Sequence, residues 1–144
     1  MKKGLDGKIA IPYNWTAGRA TSRFLTALRD KAKFVASSCE KCGKKYLPPL
    51  SFCPACFERI ENYIEIDAAG ELLEYTVVHK NQQDDSSEEI PRVLGIVKID
   101  GADTPFLHRI LVHPEEVEVG MRVRARFRPE REGSILDVEG FEKE

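Results

Sequence analysis

The sequence predicts a mainly β chain in three parts: an N-terminal helical arm, a small cysteine-organised ribbon and a barrel of five short strands. Three observations carry this prediction. Two Cys-x-x-Cys pairs, separated by ten residues, fall in a stretch punctuated by Gly and Pro. Downstream of residue 70, runs rich in β-branched and aromatic residues alternate with Gly, Pro and Asp turns. Upstream, one stretch repeats apolar residues at steps of three and four. With 144 residues, 42% hydrophobic and 32% charged, the chain has the length of one domain, or of small units sharing a core.

The first 13 residues mix Gly4, Gly7 and lysines with scattered apolar residues and read as an extended arm. Their basic start is followed by no apolar stretch, so no secretory leader is expected. Asn14 or Thr16 can cap a helix through a side-chain oxygen. From there Ala17, Ala20, Phe24, Ala27 and Leu28 form one stripe, which predicts an amphipathic helix over 16–33 with a break near Gly18. The arm combines Trp15, Arg23 and Phe24, residue types favoured where proteins meet, and these three are candidates for covering a ligand or docking a partner.

Cys39-Glu40-Lys41-Cys42 and Cys53-Pro54-Ala55-Cys56 form the strongest signal. Two intervening residues let both sulfurs of a turn face one ion about 2.3 Å away, the spacing of a zinc ribbon. Gly43 follows the first pair, where a backbone curling round a metal needs positive φ. A rubredoxin-like iron site uses the same four thiolates. Four thiolates complete a tetrahedral shell and leave no position for a reacting water, so the expected metal is structural.

The barrel strands are read at Leu72–Val78, Val93–Ile99, Phe106–Val112, Met121–Arg128 and Ser134–Val138, with turns at Asp100-Gly101 and Val119-Gly120. Asn81–Glu89 is acidic and without period, as in an exposed loop. Five such strands suggest a small barrel; a five-stranded Greek-key barrel is an OB-fold, though the pattern alone does not separate it from other small barrels.

Little catalytic chemistry is legible. His79, His108 and His113 lack metal-ligand spacing and read as packing or surface residues, and there is no GxSxG, GxGxxG or P-loop. In Arg122-Val123-Arg124-Ala125-Arg126-Phe127-Arg128, alternation puts four arginines on one strand face. That face is either solvated or a surface for phosphates or an acidic partner. Residues 1–66 carry 12 Lys and Arg against 6 Asp and Glu, residues 67–144 carry 10 against 18, so the net charge of -2 hides a polarised chain. The acidic second half argues against a dedicated nucleic-acid binder.

The order Trp15, a helix with Phe24-Leu25 and Leu28, Cys39-x-x-Cys42-Gly43, Tyr46-Leu47-Pro48-Pro49 and Cys53-Pro54-x-Cys56 resembles the DUF35 family. Gly70–Val78, Pro91-x-x-Leu94-Gly95-Ile96-Val97 and Gly120-Met121-x-Val123 extend the resemblance over about residues 15 to 140. Many members have Arg after the Pro-Pro pair; this chain has Leu50, so no anion role is carried to that position. The resemblance implies an arm and helix over 1–36, a rubredoxin-like zinc ribbon over 37–66 and an OB-fold barrel over 67–144. It implies a cytoplasmic, non-catalytic accessory subunit with structural Zn2+, which binds a thiolase or HMG-CoA synthase type of enzyme and is associated with CoA or acyl-CoA. A nucleic-acid-binding OB module with a ribbon, and a rubredoxin-like electron carrier, are the competing readings.

Overall fold

The computed structural model describes residues 10–79 and 91–144; the acidic stretch Asn81–Glu89 lies outside them. Residues 10–17 have no regular structure and are exposed, and lead into helix α1 (Gly18–Lys31). The helix is shorter than the predicted 16–33. Its N-cap is Ala17, with no side-chain cap; Gly18 N–H donates to Thr16 Oγ1 at 3.3 Å and Asn14 takes no part in capping. Gly18 sits at φ 73°, so the helical stripe starts only after it. The helix ends at Ala32, whose left-handed backbone returns its N–H to Ala27 and Leu28 carbonyls.

Strands β1 (Phe34–Ser38), β2 (Lys45–Tyr46) and β3 (Asn62–Ile66) form an antiparallel sheet in the order β2-β1-β3. The predicted strands are then found as β4 (Ala69–Val78), β5 (Arg92–Ile99), β6 (Pro105–Ile110) and β7 (Arg122–Phe127). The fifth is not where it was expected. Ser134–Val138 holds a 3-10 turn over Ile135–Asp137, and β8 runs Val138–Lys143. Ser134 and Asp137 cap each other's backbone at that turn, a local bonding pattern that competes with a strand.

The barrel closes in the order β4-β5-β6-β8-β7, with β7 returning to β4 and a parallel contact between β6 and β8. This is the five-stranded OB-fold. Gly140 permits the parallel contact, because a Cβ there would meet Leu111 Cγ at 2.7 Å and the Arg109 carbonyl at 2.8 Å.

The helix and β1 plug the barrel. Phe24, Leu28 and Phe34 join Leu72, Val97, Ile99, Phe106, Val123 and Phe141 in one buried cluster. The Phe34 ring lies 5.3 Å from Phe106, 5.9 Å from Phe127, 6.0 Å from Phe24 and 6.3 Å from Phe141. At the other junction Thr104 Oγ1 accepts from Leu47 N–H at 2.8 Å and donates to its carbonyl at 2.9 Å. Asp103 adds a reciprocal pair with Lys45. Among the described residues, no helix is long and apolar enough to cross a membrane.

Candidate metal centre

Two equivalent turns present the cysteines. In the first, Gly43 N–H donates to the Cys39 carbonyl at 2.8 Å and Cys39 N–H to Lys44; in the second, Phe57 N–H donates to the Cys53 carbonyl at 2.8 Å and Cys53 N–H to Glu58. Gly43 takes φ 72°, as its position required. Phe57, its counterpart, takes φ 58° while 85% exposed. A left-handed backbone costs a residue with a Cβ about 1 kcal/mol.

These turns bring Cys39, Cys42, Cys53 and Cys56 together, with all four sulfurs within 4.8 Å of one another. Cys42 and Cys53 Sγ are 3.6 Å apart. Four thiolates about 2.3 Å from one zinc stand about 3.8 Å from each other, so the donor set fits that ion. All four cysteines are free of disulfides. Cys39 and Cys53 are buried with Tyr46 and Ile60 in a cluster of their own.

The buried Tyr46 hydroxyl lies 3.2 Å from Cys53 Sγ. That hydrogen bond, first, pulls the Cys53 thiol down to about 6, aided by backbone N–H groups of Cys56 and Ala55. Contact with Cys42, then burial, pushes Cys56 up to about 12. Cys53 is therefore the first of the set to ionise. Tyr46 holds its own proton more tightly, through the same bond and through burial. Spacing could not reveal Tyr46, since its role depends on β2 returning beside the second turn.

The other candidates are scattered. Trp15 is 83% exposed, with its ring 5.9 Å from Tyr13. Arg23 lies over the Tyr63 ring, 4.7 Å from its centroid, on the face between α1 and β3. Phe24 is 2% exposed and corrects the expectation of a surface anchor: the helical stripe turns it into the barrel core.

The arginine stripe is on the outer face, as alternation predicted, but three members already have carboxylates. Arg122 forks onto Asp100 at 3.1 and 2.5 Å and reaches Glu144; Arg124 pairs with Glu144 at 2.6 Å; Arg126 pairs with Glu139 at 2.6 Å and Glu142 at 3.4 Å. The Asp100 carboxyl is held below its usual range by Arg122. Arg128 lies beyond β7 beside a hollow lined by Glu130, Glu132 and Asp137. Of the histidines, His79 and His113 are exposed, and half-buried His108 stacks on Phe106, its burial lowering its basicity.

Fold and site together define a zinc-ribbon and OB-fold protein. A family model for the ChsH2 rubredoxin-like zinc ribbon domain matches residues 28–61, and one for the ChsH2 C-terminal OB-fold domain matches residues 63–128. Together these take in well over half of the sequence, and the chain belongs to the DUF35 family. It is 28% identical over 102 residues to a DUF35 domain-containing scaffold protein of Methanocaldococcus jannaschii, covering 70% of this chain and 72% of that one. A scaffold protein of the same description from Methanothermobacter thermautotrophicus is 23% identical over 113 residues, covering 78% and 84%. Among solved structures, a DUF35 protein of unknown function from Sulfolobus solfataricus superposes with a TM-score of 0.66 at 23% identity, over 88% of this chain and 87% of that one. A chain of an Ltp2-ChsH2(DUF35) aldolase superposes with a TM-score of 0.67 at 20% identity, over 90% and 98%.

Proposed function

We propose that this chain is a non-catalytic scaffold subunit that binds a thiolase-type enzyme and on which that enzyme's acyl-CoA handling depends, with Zn2+ as a structural element of the ribbon. The relatives described as scaffold proteins support the first part, and the Ltp2-ChsH2(DUF35) aldolase supports an enzyme as the partner. The observation that carries the reading is the set of exposed aromatic residues on the arm and ribbon. Tyr13 and Trp15 are exposed beside the start of α1, and Phe52 and Phe57 on the second metal turn. Arg19, one turn after Trp15, lines the same hollow as Phe52 and Arg59 and pairs with Glu61. The two aromatic groups therefore border one region, a composition suited to a protein interface.

Zinc fits better as a support than as a reaction centre, because four thiolates fill its shell. The arginine pairs on β7 argue against a continuous basic track for nucleic acid, since their charge is largely met within the chain.

The test is capture of a thiolase-type enzyme expressed beside this chain, compared with a Tyr13→Ala/Trp15→Ala variant. Both side chains are exposed, so melting should be unchanged while capture falls at least about tenfold. Equal capture by the variant would remove the arm from the interface; failure of the wild type to bind any such enzyme would refute the reading. One zinc per chain, by elemental analysis of undenatured protein, is the accompanying expectation; stoichiometric iron would overturn it.

A further inference from the structure

Across the barrel from the ribbon's exposed aromatics, a cleft of about 290 Å³ opens at the ends of β5 and β6. It is close to the lower end of small-molecule pockets, roughly 300 Å³. Arg92, Arg109, Arg126 and His113 line it, and none of its lining residues is acidic. The strand order explains the convergence. Strand β8 runs between β6 and β7, with Gly140 opposite Arg126 in the β7–β8 register. The same glycine lets β8 close onto the Arg109 carbonyl, which leaves two arginine-bearing strands with a side-chain-free position between them.

The donors there are not used up. Half-buried Arg109 has no ion-pair partner among the described residues. Arg126 gives Nε and Nη1 to Glu139 and Glu142, which orients it and leaves Nη2 for another acceptor. His113 Nδ1 accepts the Glu115 N–H at 3.4 Å, so the neutral ring carries its proton on Nε2 and can donate it. Buried Val93 and Ile110 supply an apolar wall, against which charge interactions are less screened than in water. Like charges gathered in such a cleft repel, and an anion with several acceptor oxygens relieves the repulsion.

We propose that this cleft binds a phosphate group, held by forked hydrogen bonds from Arg109 and Arg126 as part of a diphosphate or phosphate ester. The site is independent of the docking reading, because it needs neither the arm nor a partner enzyme. It also separates Arg126 from Arg122 and Arg124, whose guanidinium groups face carboxylates on the strand's outer surface.

Titration calorimetry of the full chain at low salt, with pyrophosphate as the probe, tests it. Saturable one-site binding is expected, weakened at least about tenfold in Arg109→Gln, the loss of about one charge-assisted pair. Arg109→Lys keeps the charge but not the fork and should lose a similar factor, which preserves the test if the Gln variant does not fold. Arg124→Gln removes an equal charge outside the cleft and should bind as wild type. Parallel titrations with inorganic phosphate and ADP identify the source: tighter binding of ADP assigns the site to an organic diphosphate, tighter binding of inorganic anion to the free ion. No saturation by pyrophosphate, or equal weakening in Arg124→Gln, would overturn the proposal.

Discussion

Replacing Phe34 by Ala should destabilise the barrel and the metal ribbon together. Phe34 begins β1, the central strand of the ribbon sheet, yet its fully buried ring sits among four aromatic rings of the helix and barrel. Removing a buried Phe costs about 3–5 kcal/mol, since its transfer energy is lost and the cavity collapses only in part. Four neighbouring rings held by separate strands leave little freedom to refill the space, so about 4 kcal/mol is expected. Against a total stability of roughly 5–15 kcal/mol that is a large fraction, and it corresponds to a melting temperature about 8–16 °C lower in a chain of this size. The assay is urea unfolding of metal-loaded protein, followed by far-ultraviolet circular dichroism and by release of metal to a chromophoric chelator. Fluorescence of Trp15 would report poorly, because the side chain is exposed in the folded state. Both midpoints should move down by the same amount. A barrel transition that stays in place while metal release shifts, or a loss below about 1 kcal/mol, would refute the idea of one shared core.

Two other substitutions probe individual bonds. Tyr46→Phe keeps the ring but removes the hydroxyl at Cys53 Sγ; chelator competition should show metal affinity about tenfold weaker, as for other outer partners of metal ligands, and unchanged affinity would make the contact incidental. Asp137 accepts backbone N–H groups of Glu132, Gly133 and Ser134 at 3.0, 2.8 and 3.1 Å. Burial pushes its carboxyl up, but these bonds and Arg131 outweigh burial and hold it below the usual range. Asp137→Asn should therefore cost about 2 kcal/mol near pH 7. Because the folded carboxyl is the more acidic, its contribution is present above the unfolded value near 4 and fades as pH falls through the folded value. The difference in melting temperature between wild type and variant should shrink on acidification, and a constant difference down to pH 3 would refute the assignment.

The parts of the fold that were legible are those whose chemistry is local. Paired Cys-x-x-Cys turns fix a metal geometry within four residues each, and strands such as Arg122–Phe127 advertise themselves by alternation, with Val123 and Ala125 buried and the arginines outside. Strand β1 gave no such signal. Phe34, Val35, Ala36 and Ser37 are all buried, because one face meets the barrel and helix while the other belongs to the ribbon sheet, so the sequence shows no period of two. Strand β8 was missed for the opposite reason: it carries Gly140 and several charged residues, and its glycine is a requirement of the β6–β8 contact that only the closed barrel creates. The arginine pairs were invisible as well, since their carboxylates lie 13 to 22 residues away along the chain.

The same double burial of β1 bears on function. A ribbon joined to a barrel by a bare linker would move as a separate body, and any surface composed of both would need ordering when a partner arrives, at a cost in affinity. Here Phe34 anchors the ribbon sheet inside the barrel cluster, Thr104 and Asp103 tie β2 to the β5–β6 turn, and Arg131 Nε donates to the Arg29 carbonyl at the end of α1. The helix, ribbon and barrel are thus fixed at three separate points. The metal then acts on more than its own turns: by holding Cys39 at the end of β1 and Cys53 beside Tyr46, it secures the strand that carries Phe34 and the turn that exposes Phe57. A structural ion placed this way can preorganise a partner-facing surface without touching the partner.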